Sequence, residues 1–339
     1  MATIKDIAKD CGLSSATVSY VLSGKGNERR IPLHTQELIL NSADKLGYKR
    51  STPIKHNNIK IAFYWQDEGF ELASTNILQA INHIISLEHL NINIIIRPYK
   101  VGHLCDDEYF FANNYYDGIV LTGINADDIE YLVKNKPKIP VVVVNREIPG
   151  FSSVSIDNEE TGRIAALHAI QNGKNDIAVV FNPTSFTCMT LRGKSFLKTC
   201  KEHGIHLSDS IYYCSNKIDS GYDIAQKMLA KNSLKKVIFC NHDVVALGMM
   251  NAFHESGIVI GEDIQIFAAS NGPSRLMARS IPPLTVIDLK MEETAERSLR
   301  MIIDTVTGRI MVFSNKLYTH QLFIDNRVQL KIYFKFLNL

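Results

Sequence analysis

The sequence has no uncharged apolar run approaching the roughly 18 residues that a membrane span requires. Its first ten residues, MATIKDIAKD, alternate charge with apolar side chains where a signal peptide would carry a hydrophobic core. A cytoplasmic protein with no membrane partner is the expectation. Cysteine is sparse and scattered. Cys11, Cys105, Cys188, Cys200, Cys214 and Cys240 form no C-x-x-C pair and no Cys/His ligand spacing, so neither a zinc site nor a disulfide framework is predicted, and the thiols should be reduced and mostly buried. Catalytic signatures are missing too: there is no G-x-S-x-G elbow, no H-E-x-x-H and no P-loop. The one suggestive pair is His242 beside Asp243. Adjacent residues at a strand-to-helix turn are expected to diverge, which leaves His242 a hydrogen-bonding or ligand-contact role. No enzyme and no cofactor are predicted.

Charge of one sign is short overall but not evenly so. Net charge is +2, yet residues 1–60 hold ten Lys/Arg against five Asp/Glu, while the remainder holds 27 against 30. A small basic N-terminal module points to a polyanion partner, because phosphate neutralisation with counterion release drives sequence-independent nucleic-acid affinity. The 339 residues exceed one ordinary core, which predicts two or three domains. Apolar residues at 45% and charged residues at 21% describe a soluble globular chain.

Thr3 followed by Asp6 predicts a capped first helix over Ile4 to about Cys11, ended by Gly12 in a left-handed conformation. Ser14 can then cap a second helix running to Leu22. Ile4, Ile7, Ala8, Leu13, Val18, Val21 and Leu22 have the spacing that buries one face of each helix against the other. Ser15, Ala16, Thr17, Ser19 and Tyr20 are left pointing outward, a surface suited to a major groove. After a loop with Lys25, Arg29 and Arg30, Pro32 opens a third helix with Ile39, Ala43 and Leu46 on its apolar side, and Gly47 ends it.

This segment, MATIKDIAKDCGLSSATVSYVLSGKG, resembles the headpiece of the LacI/GalR regulators, whose pattern is T-[IL]-x-D-[IV]-A-x-x-[AC]-G-[VL]-S-x-x-T-V-S-x-V-L. The family's A-x-x-L-G-Y ending recurs as ADKLGY, Ala43 to Tyr48. The resemblance implies a sequence-specific transcription regulator, in most cases a repressor of a carbohydrate-use operon, that binds double-stranded operator DNA as a homodimer under a small-molecule effector. It places base reading on Ser15, Ala16 and Tyr20, with Ser14, Thr17, Ser19 and Tyr48 as phosphate-contacting and supporting residues. Arg29, Arg30, Lys49 and Arg50 add basic contacts. Where the family commonly continues P-N-x-x-A-R-x-L, a hinge helix that wedges a leucine into the minor groove, this chain reads KRSTPIKHNNIK. Pro53 disfavours helix at Thr52. The segment is therefore either a basic arm along the DNA or a plain linker.

From Ile59 onward the runs IKIAFYW, NINIIIRPY, DGIVLTG, PVVVVN, DIAVVFN, KKVIFCN and DIQIFAAS alternate with helical patterns such as Ile77 to Ile85, Glu159 to Gln171, Leu191 to His203, Tyr222 to Lys231 and Val244 to Ser256. Nearly continuous apolar strands alternating with helices predict parallel sheets covered on both faces. The expected fold is an all-α helix-turn-helix headpiece plus an α/β, periplasmic-binding-protein-like body of two doubly wound parallel-sheet subdomains. The expected organisation is a headpiece over 1–49, a hinge or linker over 50–60, and an effector-binding and dimerisation domain over 61–339. Within that domain, one subdomain takes about 61–157 and 288–319 and the other about 158–287 and 320–339.

Parallel sheets bind ligands beyond the carboxyl ends of their strands. That singles out Trp65, Asp67, Phe70, Gly123, Asn145, Arg146, Asn182, Asn241, His242, Asp243, Ser270 and Asn271. From these strand ends Asp67, Phe70, Asn145, His242 and Ser270 are the expected effector contacts, and the resemblance, which covers nearly the whole chain, adds Arg192 in LRG, matching the family's effector-gripping arginine. His242 stands where asparagine is common and Asn145 where aspartate is common. AASN, Ala268 to Asn271, replaces G-[FY]-[DN]-D. An unusual sugar, an anionic ligand and an empty site all remain open. The tail lacks a leucine heptad, so a dimer and not a tetramer is expected. The alternative is a cytoplasmic small-molecule sensor without DNA control.

Overall fold

The computed structural model describes residues 3–22, 26, 29, 31–46, 48, 59–66, 71–87, 92–111, 115–182, 187–308, 315–317 and 321–323. Three helices open the chain: α1 Ile4–Cys11, α2 Ser15–Leu22 and α3 Leu33–Lys45. Thr3 and Asp6 form a reciprocal capping box, with Asp6 N–H donating to Thr3 Oγ1 at 3.3 Å and Thr3 N–H to Asp6 Oδ2 at 2.7 Å. The Thr3 hydroxyl and amide, each donating to Asp6 Oδ2 at 2.7 Å, hold the Asp6 carboxyl below the usual carboxylate range. Gly12 ends α1 with φ 66°, and Ser14 Oγ accepts the Thr17 amide at 3.0 Å to start α2. Ile7, Ala8, Val18, Val21, Ile39 and Ala43 close a small common core. Ser42 Oγ donates to Asp10 at 2.6 Å, tying α3 to α1. Gly47, named above as the end of α3, lies outside the described residues.

The body holds two six-stranded sheets. The first contains β1 Ile59–Gln66, β2 Ile92–Tyr99, β3 Gly118–Leu121, β4 Val141–Val144, β5 Ser152–Ile156 and β11 Asn315–Leu317, ordered β11-β5-β4-β3-β1-β2 and parallel throughout. It carries α4 Glu71–Leu87, α5 Ala126–Lys134 and α11 Met291–Val306. The second contains β6 Ile177–Phe181, β7 Ile211–Tyr213, β8 Val237–Cys240, β9 Gln265–Ser270, β10 Thr285–Asp288 and β12 Gln321–Phe323, ordered β12-β10-β9-β8-β6-β7. All its pairings are parallel except β10 with β12. Its helices are α6 Asn158–Gly173, α7 Thr187–Glu202, α8 Ile218–Ala230, α9 Asp243–Glu255 and the short α10 Ser274–Met277. The chain leaves the first sheet after β5, returns after β10, and reaches the second again between β11 and β12. The two lobes are therefore joined by three strands of chain.

Every apolar run named from the sequence is a strand. Five further strands, β5, β7, β10, β11 and β12, were not anticipated. They are three to five residues long, with sequences such as SSVSI and NKL, and pairing with a neighbour, not their own pattern, makes them strands.

The core of each lobe is two-sided. Val141–Val144 is buried at every residue, as a central parallel strand must be. In the second lobe Phe196, Phe239 and Phe267 stack in series at 4.9 and 5.0 Å, and His168 of α6 meets Phe267 edge-on at 4.7 Å. Burial pushes the His168 pKa down to about 4 from 6.5, so the folded chain keeps this imidazole neutral where the unfolded chain would charge it. The stability tied to it is complete above pH 6.5 and falls as the pH drops toward 4, by about 3 kcal/mol at most. Denaturant midpoints measured from pH 7 to pH 4 should show that loss, and His168→Leu should flatten it.

α6 and α7 pack so closely that a Cβ on Gly162 would fall on the carbonyl oxygen of Arg192. Gly162→Ala is expected to cost about 1–3 kcal/mol and to displace the helix that carries Arg192. A drop in urea midpoint together with a weakened effector response would report it.

Candidate functional site

The outward face of α2 is exposed at Ser15, Ala16, Ser19 and Tyr20, whereas Val18 and Val21 are buried beneath it. Ser14 is exposed and Thr17 half-buried, and both are committed locally: their hydroxyls lie 2.7 Å apart and Ser14 Oγ takes the Thr17 amide. They support the start of the helix while Ser15 and Ala16 present the surface. Tyr48 packs half-buried against the headpiece core. Arg29 is exposed, and its guanidinium carbon lies 4.7 Å from the centroid of the Tyr20 ring. Arg30, Lys49, Arg50 and the whole stretch 49–58 lie outside the described residues, as do Asp67 and Phe70 among the expected effector contacts.

At the lobe junction the structure gathers Arg192, Asn241 and Asn158. Arg192 is 3% exposed. Its Nη1 donates to the carbonyl oxygen and to Oδ1 of Asn241 at 3.1 and 3.2 Å, and its Nη2 donates to Asn158 Oδ1 at 2.9 Å. Asn241 directly follows β8 and Asn158 begins α6 immediately after the first crossing, so one guanidinium ties a strand end of the second lobe to the point where the chain enters it. Across the lobes, Asn76 of α4 donates to the Asn271 carbonyl at 2.9 Å.

His242 and Asp243 do not diverge, contrary to expectation. Nδ1 of His242 lies 2.9 Å from Oδ1 of Asp243, and the two side chains are 4% and 0% exposed. A carboxylate accepts, so Nδ1 carries the shared proton. Asp243 is the first residue of α9 and sits between the ends of the neighbouring strands β8 and β9. Its Oδ2 takes the Ser270 hydroxyl at 2.7 Å and the Asn271 and Gly272 amides at 3.1 and 3.0 Å, while Oδ1 takes the Val244 amide at 2.9 Å. Burial alone would raise the Asp243 pKa. The adjacent His242, the Ser270 hydroxyl and the Gly272 amide outweigh it and bring the value down to about 2. Asp243 is thus the centre of this cluster, a role that the sequence reading did not assign. An acid in the first turn of a helix directly after a strand was the available signal.

The expected effector contacts therefore divide. Arg192, Asn145, His242 and Ser270 are all near the lobe junction, but His242 and Ser270 are occupied by Asp243. Asn145 takes a left-handed backbone at φ 58° and uses its Oδ1 to accept the Ile156 amide at 3.2 Å. It borders a cavity of about 400 Å³ lined also by Arg146, Ser155, Asp157, Asn158 and Leu191. The Ser155 hydroxyl there is buried with no hydrogen-bond partner among the described residues. A larger cavity, about 830 Å³, lies between Asn76 and Gln79 of α4, Gly272, Pro273 and Leu276 at and just before α10, and the start of α11 from Met291 to Glu296. Among the described residues no cluster of His, Cys, Asp or Glu is arranged to hold a metal ion, and no helix is long and apolar enough to cross a membrane.

Comparison with known proteins matches residues 3–51 to the bacterial regulatory proteins of the lacI family and residues 166–323 to a periplasmic binding protein-like domain. The chain is 26% identical over 317 residues to the HTH-type transcriptional repressor PurR of Pasteurella multocida, covering 91% of this chain and 93% of that one. It is 28% identical over 285 residues to a probable HTH-type transcriptional repressor, ExuR, of Bacillus subtilis, covering 78% and 80% respectively. A solved LacI family transcription regulator from Clostridium acetobutylicum superposes with a TM-score of 0.74 at 26% identity, over 79% of this chain and all of that one. A capped helix-turn-helix with an exposed outer face on its second helix, carried on two parallel-sheet lobes, agrees with these matches: the chain joins a lacI-family DNA-binding domain to a periplasmic-binding-protein-like body, as a DNA-binding transcription regulator does.

Proposed function

We propose that this protein is a cytoplasmic repressor that holds operator DNA as a homodimer and responds to a small polar effector, a sugar or sugar derivative, bound between its lobes. The observation that carries the DNA half is the outer face of α2, where Ser15, Ala16, Ser19 and Tyr20 stay exposed above a buried Val18 and Val21. A face held rigid from behind and left open in front suits a groove. Two headpieces on one two-fold axis meet the two half-sites of a palindromic operator. The half-exposed apolar side chains Leu78, Ile85 and Leu87 of α4 and Ile96 of the edge strand β2 support a self-associating surface.

The effector half rests on the lobe junction. Arg192 fastens the start of α6, the first helix after the crossing, to the strand end beyond β8, so a ligand competing for its donors acts where the chain enters the second lobe. Control of DNA binding requires such a ligand to have different affinities for the two lobe arrangements. With His242 and Ser270 engaged by Asp243, the cavity beside Asn145 and Asn158 offers the Ser155 hydroxyl, unpartnered among the described residues, and Arg192 reaches a ligand by giving up a bond to Asn241 or Asn158.

The test is binding of the purified dimer to DNA from its own upstream region against random competitor, at one stated salt concentration, with and without sugars, sugar phosphates and nucleobases. Specific binding modulated by a sugar is expected. Binding modulated only by a nucleobase would replace the sugar assignment, and no preference over random DNA would overturn the operator reading.

A further inference from the structure

The outward face of α2 is poor in groups that can identify a guanine. Ser15 and Ser19 offer single hydroxyls, Ala16 a methyl group, and the helix contains no Arg, Lys, Asn or Gln. A hydroxyl donates or accepts and so tolerates several base edges. Selecting a G·C pair in the major groove takes two parallel donors aimed at O6 and N7. Among the described residues Arg29 is the side chain that brings such a fork to this face. It comes from the loop before α3, and its position is set by Tyr20, over whose ring the guanidinium lies at 4.7 Å. Tyr20 is 36% exposed and Arg29 is exposed, so the stack stands at the surface and not in the core. Tyr20 is also one helical turn beyond Ala16, on the same side of the helix.

Stacking uses the faces of the guanidinium and of the ring and leaves the in-plane N–H donors at its edge free. It also narrows the conformations of a long, exposed side chain before DNA arrives, which lowers the entropy lost on forming a bidentate contact. A phosphate needs no such preparation, since a mobile arginine reaches one from many directions.

We propose that Arg29, held on the face of Tyr20, reads a guanine in each operator half-site, and that Tyr20 is a positioning residue for this contact instead of a base reader itself. The assignment rests on the DNA-binding reading above and adds the base and the side chain that reads it.

The experiment is selection of bound duplexes from a random pool by the full-length protein at fixed salt, followed by sequencing, for the wild type, Arg29→Met, Tyr20→Phe, Tyr20→Leu and the double variant Tyr20→Leu/Arg29→Met. The wild type should select a palindrome with one required G·C pair per half-site. Arg29→Met should relax that position alone, by about 5- to 150-fold in discrimination. Tyr20→Phe should keep the requirement because the ring remains, Tyr20→Leu should relax the same position, and the double variant should be no worse there than Arg29→Met. Equal weakening of all sequences by Arg29→Met, with a shallower salt dependence, would reassign it to a phosphate. Damage by Tyr20→Phe equal to that by Tyr20→Leu would make the hydroxyl the reader. Either result overturns the proposal while leaving operator recognition intact, whereas a wild type that selects no sequence overturns the proposed function with it.

Discussion

Asp243→Ala should destabilise the body by about 3–5 kcal/mol, the largest loss expected from a single polar substitution here. The carboxylate is fully buried and accepts from His242, Ser270 and the amides of Val244, Asn271 and Gly272. Truncation leaves these buried donors without their acceptor. Asp243→Asn keeps the shape and one acceptor oxygen, so it should lose less. Urea unfolding followed by circular dichroism measures both. An unchanged midpoint for the alanine variant would mean that these bonds contribute nothing to the fold. The acid limb gives an independent reading. The Asp243 pKa is held at about 2 against 3.8 for an ordinary aspartate, so its contribution is complete above pH 3.8 and disappears as the pH falls toward 2. That window lies below the one set by His168, and the two can be separated by titrating His168→Leu and Asp243→Asn in parallel.

Arg192→Lys should leave specific DNA binding in place while shifting the effector dose-response by at least about tenfold, as expected for losing one charge-assisted hydrogen bond or more. The guanidinium joins Asn241 just beyond β8 to Asn158 at the lobe crossing through two different nitrogens. A lysine ammonium keeps the charge but is one point with no fork, and it cannot span both asparagines in the same geometry. A fluorescence-anisotropy titration of operator, repeated at increasing effector concentration, separates the two quantities. An unchanged dose-response would remove Arg192 from the effector site. Loss of DNA binding without effector would make it a structural tie of the whole body.

The headpiece was legible residue by residue. Thr3, Asp6, Gly12 and Ser14 act on neighbours within four positions, and the first two helices begin and end where those signals stand. The long apolar strands were equally plain, since PVVVVN and DIAVVFN describe buried parallel strands whatever surrounds them. The strand-end residues were found as a set, but their employment was not. His242 and Ser270 looked like free ligand contacts, and only the position of Asp243 between two strand ends shows them engaged with it. The Arg29–Tyr20 stack was hidden for a related reason. Both residues were expected on the DNA surface, but a loop residue and a helix residue carry no periodicity that relates them.

Features of this protein that depend on residues a few positions apart were determined by its amino-acid sequence alone: capped helices, the left-handed turn at Gly12, the alternation of strand and helix, and the basic N-terminal module. Their energies come from local hydrogen bonds, backbone conformational limits and repeating burial, all of which are written in short spacings. Only the tertiary structure decided which short polar segments became edge strands and that Arg192 links positions 34 and 49 residues away. It likewise decided that Ser270 bonds to a carboxylate 27 residues distant. Those contacts exist because two sheets were built first and brought their strand ends together. A polar side chain buried there takes whatever partner the packing supplies, since leaving it without one is the costlier state.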